Sequence, residues 1–135
     1  MRITESLRIE HNLLRNMLDA MGRWVTESVA SDKLRERAVM LEAAINIHSA
    51  REERRLFAPL SASSDIAHDL VSLIESVHME VHQLFKEVAD PVHDPEERLR
   101  EIVRLTNVHF KEEETGLFPL AEKLLQAELL ENHDS

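Results

Sequence analysis

Cysteine is absent from the sequence, which excludes disulfides, thiolate nucleophiles and thiolate-held metals or clusters. Glycine occupies only 2 positions and aromatic residues make up 4% of the chain, whereas hydrophobic residues make up 43%. A core of this composition is mostly aliphatic, and so little glycine suits helices better than strands or long loops. The sequence therefore predicts an all-α protein in which any metal is held by histidine and carboxylate.

Basic residues and long apolar runs are also scarce. Lys and Arg number 16 against 26 acidic residues, giving a formal net charge of -10. Nucleic acids and anionic membrane surfaces are bound by clustered basic side chains, so we expect neither as a partner. The N-terminal MRITESLRIEH is interrupted by charges, unlike a signal peptide or a membrane span. We expect a cytoplasmic protein with a single domain over residues 1–135.

Four segments have apolar residues at alternating spacings of three and four, the pattern of helices with one buried stripe. Pro59 ends the second segment, and Ser64 or Asp65 is positioned to cap the third. The predicted helices cover residues 3–28, 32–58, 65–90 and 95–130. Because short connections favour antiparallel neighbours, the expected fold is an up-down-up-down four-helix bundle.

Polar residues interrupt the stripes that should face the core of this bundle. They are His11, His48, Glu52, His78, His109 and Glu113. Buried carboxylates without partners are costly, and buried imidazoles need hydrogen bonds or a ligand. Three pairs stand one helical turn apart on a shared face: His48 with Glu52, His78 with His82, and His109 with Glu113. Each pair can hold a cation.

Two of these pairs lie in segments of nearly the same sequence, NIHSAREERRLFAPL from Asn46 and NVHFKEEETGLFPLA from Asn107. Five His and two Glu are too many for one ion, but they suit two metals with two bridging carboxylates and one open position. Imidazole suits iron, zinc, copper and nickel, while carboxylates add affinity for iron or manganese. The two segments would then supply the two halves of one site.

This order of residues resembles the hemerythrin family, in particular its bacterial cation-binding branch with a His-His-Glu signature. The likeness covers almost the whole chain, including EHNLL at the first ligand and LFP-type endings after the second and fourth helices. It implies a hemerythrin-like bundle that holds two non-haem iron ions with a bridging oxo or hydroxo group. It also implies the ligands: His78, His82 and His109 for one iron, His11 and His48 for the other, and Glu52 and Glu113 as bridges.

The resemblance further implies that dioxygen binds at the open position of the iron with two histidines. In oxygen-carrying hemerythrins, however, the last carboxylate is an Asp five residues after its His, whereas Glu113 follows His109 by four. This spacing matches the His-His-Glu branch, which is also linked to iron or oxygen sensing, metal storage and the handling of nitric oxide or peroxide.

Two classes of function follow from these expectations. The first is a protein that binds dioxygen, or another small diatomic or peroxide ligand, as a carrier or as an oxygen or iron sensor. The second is a di-iron enzyme for peroxide or nitric oxide, with iron storage or donation as a further alternative. No catalytic acid or base outside the ligand set can be named, which favours binding. Ferritin-like bundles use Glu-x-x-His with extra glutamates, the reverse of the order found here.

The surroundings of the site are also predicted. The open iron should lie in a water-excluding pocket, for which the candidates are Leu7, Leu14, Leu41, Ile45, Val81, Phe85 and Phe110. The charged residues of REERR and KEEE, apart from the two ligands, are interpreted as a solvated, salt-bridged face. Three further histidines, His68, His93 and His133, are interpreted as exposed.

Overall fold

The predicted all-α class is confirmed. The computed structural model describes residues 1–131, except the side chain of Glu128, and no strand occurs within that part. The α-helices are α1 (Ile3–Thr26), α2 (Ser31–Glu52), α3 (Ala58–Ser61), α4 (Asp65–Ala89), α5 (Pro95–Glu112), α6 (Phe118–Leu124) and α7 (Ala127–Leu130). Two π-helical turns, Glu53–Phe57 and Glu113–Leu117, join α2 to α3 and α5 to α6 without a break.

Four long helices surround the core in a ring. Helix α1 packs against α2 and α5, and α4 packs against the same two helices from the other side. This arrangement confirms the up-down-up-down four-helix bundle. Within residues 1–131, none of the helices is both long enough and apolar enough to cross a membrane.

The helix starts follow the capping residues in the sequence. Ser64 accepts a hydrogen bond from the Ala67 N–H (3.1 Å) at the start of α4. Of the two predicted capping residues, Ser64 and Asp65, the cap is therefore Ser64. Asp94 accepts from the Glu96 N–H (3.0 Å) at the start of α5, where Pro95 takes the first helical position. These caps position α4 and α5, which carry two of the core histidines.

Each π turn comes directly before a proline-containing helix. Proline lacks an N–H, and its ring clashes with the carbonyl four residues earlier in a regular α-helix. The chain widens instead, because the Ala58 N–H bonds to the Glu53 carbonyl and the Phe118 N–H bonds to the Glu113 carbonyl. The sequence-based prediction that Pro59 ends its helix is therefore wrong, because the helical path continues to Ser61. Such turns often occur at functional sites.

The buried apolar residues form two clusters with a polar layer between them. One cluster includes Leu14, Leu18, Leu34, Ile45, Val81 and Phe110. The other includes Ile3, Leu7, Leu56, Ile74, Leu117 and Phe118. The polar layer consists of the residues that interrupt the four stripes, and it lies between Leu7 and Leu14 on α1 and between Ile74 and Val81 on α4. The fold thus places the predicted ligands at mid-height in the core.

Candidate metal centre

The polar layer brings together six of the seven predicted ligands, in two overlapping groups of four. The first group contains His11, His48, Glu52 and Glu113, and the second contains Glu52, His78, His109 and Glu113. Within each group, one nitrogen or carboxylate oxygen per residue lies within 4.8 Å of the others. Both groups include the same two carboxylates. This geometry corresponds to two adjacent cation positions, each with two histidines, that share Glu52 and Glu113.

The donor atoms of the first group approach one another without forming hydrogen bonds in the described part of the chain. His48 Nε2 lies 3.0 Å from Glu52 Oε1, and His11 Nε2 lies 3.2 Å from Glu113 Oε1. None of these four atoms has a hydrogen-bond partner in the described part of the chain, so the approach is close but not directed as a hydrogen bond. Ligands ~2.1 Å from one ion and at right angles lie ~3.0 Å apart. The spacing therefore suits atoms that coordinate the same cation.

The other half of the layer has the same pattern with somewhat longer contacts. His109 Nε2 lies 3.4 Å from Glu113 Oε1, and His78 Nε2 lies 3.8 Å from Glu52 Oε1. The two Nε2 atoms of this half lie 2.8 Å apart. One of them must carry a proton when no cation is bound, because two lone pairs at this distance repel each other. A cation in this half would remove that requirement.

Burial makes the uncompensated site costly. The side chains of Glu52 and Glu113 have 0% exposure, and their four carboxylate oxygens lack hydrogen-bond partners among residues 1–131. Removing a charged carboxylate from water costs several kcal/mol unless an opposite charge and hydrogen bonds compensate it. Two such groups next to each other also repel. A cation between them supplies the missing compensation.

Burial shifts the pKa values of the carboxyl groups and of three of the imidazoles in the direction that favours their neutral forms. Burial raises the pKa of Glu52 to about 7, and burial together with the nearby Glu52 raises the pKa of Glu113 well above its ordinary value. Burial lowers the pKa of His48 to about 4. It also lowers the pKa of His109 to about 3, helped by the neighbouring histidines, and that of His78. The imidazoles are thus neutral and able to bind metal, while the carboxyl groups retain protons that a cation would displace.

Outer carboxylates orient three of the four histidines. The Nδ1–H of His11 donates to Glu114 at 2.8 Å, and the Nδ1–H of His48 donates to Glu10 at 2.7 Å. His78 Nδ1 makes a longer contact of 3.4 Å with Glu53. A proton on Nδ1 leaves the Nε2 lone pair directed at the centre, which is how outer carboxylates support metal-binding histidines.

Two arginines hold the outer carboxylates of the first group. Arg15 donates two hydrogen bonds to Glu114, at 2.9 and 2.7 Å, and Arg51 donates to Glu10 and to Ser6. Partial burial opposes but does not prevent a lowered pKa of Glu114, which the hydrogen bonds from Arg15 and His11 produce. Glu114 therefore stays charged beside its histidine.

Sequence analysis missed Glu53 and Glu114 by interpreting REERR and KEEE as solvated surface, and it assigned no role to Glu10. The signal was the doublet that both repeats share, Glu52-Glu53 and Glu113-Glu114, in which each bridging residue is followed by an acidic one. On a helix the second glutamate lies about 100° round from the first, close enough to reach a histidine on the adjacent helix.

The two halves differ in their access to solvent. His11 is fully buried, and its ring stacks on Phe110 at 4.0 Å and on Phe118 at 5.4 Å. The side chain of His78 is 13% exposed, and its partner Glu53 is 52% exposed. The first group is therefore enclosed by aromatic rings, whereas the second lies near the surface.

A groove of about 520 Å³ between α2 and α4 reaches His78 and His109. Four of the seven predicted pocket residues line it: Ile45, Val81, Phe85 and Phe110. Leu7, Leu14 and Leu41 are buried in the two apolar clusters and do not line it. The accessible side is thus the His78 and His109 half, and not the His11 and His48 half that the resemblance implied.

His82 departs from its predicted place. Its side chain is exposed, it belongs to neither group, and it lies on the wall of the groove. Four residues rotate a helical position by about 40°, and the buried neighbours Val81 and Phe85 show that the core face passes to one side of His82. Its role as a ligand stays a prediction. Of the other histidines, His68 is exposed, His93 is half-buried and His133 lies outside the described residues.

We expect His82→Ala to retain the wild-type amount of bound cation, whereas His78→Ala should lower it, because only His78 has a donor atom in the centre. The measurement is elemental analysis of both variants after loading with ferrous iron and removal of excess metal. Equal losses in the two variants would show that α4 rotates to bring His82 into the site.

We also expect the stabilisation by bound cation to grow as the pH rises from about 7 to about 8.5. The pKa of the Glu52 carboxyl is 4.5 in an unfolded chain and about 7 in the fold. Near pH 7 the folded metal-free protein therefore holds more protons than the unfolded chain. Its stability therefore falls as the pH rises, while competition between protons and cation declines. Melting temperatures of metal-free and loaded protein at both pH values test this, and a constant difference would contradict it.

A family model described as the hemerythrin HHE cation binding domain matches residues 2–121 of the chain. No curated protein and no solved structure matches it. The matched range contains both groups of donor residues and all four long helices. The chain therefore belongs to the hemerythrin HHE cation-binding family, and its buried His and Glu cluster fits a metal site.

Proposed function

We propose that this chain is a non-haem di-iron protein that binds dioxygen, or another small diatomic or peroxide ligand, as a carrier or sensor. The observation that carries the proposal is the pair of fully buried carboxylates, Glu52 and Glu113, shared by two pairs of histidines. Carboxylates that belong to both groups suit a pair of bridged metal ions better than a single ion.

The donor set supports iron over a purely structural metal. Each group offers two imidazole nitrogens and two carboxylate oxygens, a mixture that suits iron. In a structural zinc site, four ligands usually hold a single ion and belong to that ion alone. Here the same two carboxylates belong to both groups of donor residues. Four protein donors at each position would leave a bound iron room for a bridging oxo or hydroxo group and for an external ligand. When bound, the iron pair would supply the electrons and the open position that dioxygen binding requires.

The residues of the chain fix the donors and limit water. Glu10, Glu114 and Glu53 accept hydrogen bonds from Nδ1 and so keep Nε2 free for metal. Apolar residues line much of the groove that reaches His78 and His109, so a small neutral molecule can enter with little loss of hydration. A histidine-rich set also has a weaker anionic field than a carboxylate-rich one, which favours holding a ligand over oxidative attack on strong bonds.

A di-iron enzyme for peroxide or nitric oxide is the second candidate. The observation in its favour is the titratable wall of the groove, where exposed His82 and half-exposed Glu53 lie on the side of His78. Such groups can exchange protons with solvent, and turnover of peroxide needs a proton supply. The same groove therefore suits binding through its apolar part and turnover through its polar rim.

Iron loading should give two irons per chain, and Glu52→Gln should lower the occupancy of both positions because both groups share this carboxylate. Glu75→Gln is the matched control, since Glu75 is an exposed carboxylate on the groove wall that belongs to neither group. Elemental analysis per chain is the measurement. One iron per chain in the wild type, or equal content in the two variants, would contradict the bridged pair.

Air added to the reduced, iron-loaded protein should produce a visible absorption band that disappears when oxygen is removed, without added reductant. The buried first group and the apolar part of the groove should slow the delivery of protons, which would otherwise let the bound oxygen leave as hydrogen peroxide and leave both irons oxidised. Repeated cycles between argon and air, followed by spectroscopy, test this. Conversion to a stable oxidised form together with consumption of added peroxide or nitric oxide would select the enzyme instead.

A further inference from the structure

Thr106 is a buried residue whose hydroxyl makes no hydrogen bond in the described part of the chain. It is 3% exposed, and Oγ1 has no hydrogen-bond partner in residues 1–131. Helical Thr usually donates to the carbonyl four residues earlier. The other three threonines all have partners: Thr26 donates to the Gly22 carbonyl (2.9 Å), Thr115 to the Lys111 carbonyl (2.8 Å) and Thr4 to Glu122 (2.7 Å). Thr106 alone among the four threonines has no hydrogen-bond partner for its hydroxyl within residues 1–131.

The sequence repeat shows that the bundle does not need a hydroxyl at this position. Thr106 stands three residues before His109, and the equivalent residue in the first repeat, three before His48, is Ile45. Ile45 is also buried, at 7% exposure. An unpaired buried hydroxyl is unfavourable compared with an apolar group of the same shape. The polar residue therefore weakens the metal-free fold at a position where an apolar one would pack.

Thr106 stands beside the second group of donor residues, and its Oγ1 is buried from solvent. Thr106 lines the groove together with His78 and His109, one helical turn from His109 on the same face of α5. Nδ1 of His109 is likewise buried without a partner in the described chain. Two unpaired polar atoms beside an otherwise largely apolar lining suit a small guest that can form hydrogen bonds.

We propose that Thr106 determines ligand specificity by donating a hydrogen bond to a small ligand with acceptor atoms that enters the groove and lodges beside His78 and His109. The inference rests on the proposed function, because metal at these histidines holds the ligand in reach of the hydroxyl. A donor at this place favours ligands that carry an accessible lone pair or negative charge, and it slows their release. Oγ1 makes no hydrogen bond within residues 1–131, so a ligand that reaches it meets an unpaired donor.

The test compares Thr106→Val, which removes the hydroxyl at equal shape, with Thr106→Ser, which retains it. Ile102→Val is the matched control, since Ile102 is fully buried on the same helix one turn before Thr106 and does not line the groove. Azide is the probe, and its affinity for the oxidised iron-loaded protein is measured by visible absorption. Losing one hydrogen bond to a charged acceptor should weaken azide binding by about tenfold in Thr106→Val. Thr106→Ser and Ile102→Val should remain within about twofold of the wild type.

The metal-free protein supplies an independent readout. Thr106→Val should melt at a higher temperature than the wild type, because it removes an unpaired buried hydroxyl, whereas Thr106→Ser should not. A lower melting temperature for Thr106→Val would show that the hydroxyl is paired within the fold and would overturn the inference.

The remaining outcomes separate the inference from the proposed function. Equal azide affinity of the wild type and Thr106→Val would overturn the inference and leave the di-iron protein intact, since the hydroxyl would then meet only water. Loss of iron from Thr106→Val would overturn it in favour of a structural role. Failure of the iron-loaded wild type to bind azide would overturn it too. A wild type that takes up no iron would instead refute the proposed function, and the inference with it.

Discussion

Two carboxylates lie at zero exposure in the middle of a helical core, and the surrounding structure compensates their charge. Glu52 and Glu113 come from equivalent places in two repeats, so their side chains meet across the bundle and repel each other unless protons or cations intervene. Protons can compensate the repulsion, as the raised pKa values of these carboxyl groups indicate. A cation can also compensate it, because four imidazoles surround the two carboxylates. We therefore expect the stability of the fold to depend on bound metal, since the same residues that strain the empty core would be satisfied in a loaded one.

Acidic and basic side chains alternate outward from this centre. Within residues 1–131 the series reaches an arginine only in the first group. In the first group a bridging carboxylate is followed by an imidazole, an outer carboxylate and an arginine, as in the series from Glu113 through His11 and Glu114 to Arg15. In the second group the series ends at Glu53, which is half-exposed. A fixed half suits the holding of metal, and a half that reaches solvent suits the exchange of ligands.

Sequence alone predicted the bundle and six residues of the polar layer because helical periodicity specifies the face of each side chain. It could not place His82, whose offset of about 40° from His78 lies within the error of a stripe drawn from spacing alone. It also missed Glu10, Glu53 and Glu114, since a contact between helices depends on how they pack. The π turns precede Pro59 and Pro119, of which sequence analysis interpreted Pro59 as a helix end.

The position of the groove follows from one difference between the repeats. The residue after the histidine is Phe110 in the second repeat and Ser49 in the first. Phe110 stacks on His11 at 4.0 Å and so closes the half that α1 contributes. At the equivalent place Ser49 is too small to cover His78, and it lines the groove instead. Two nearly equal repeats thus supply equal ligands, while a large residue in one and a small residue in the other make one half closed and the other accessible.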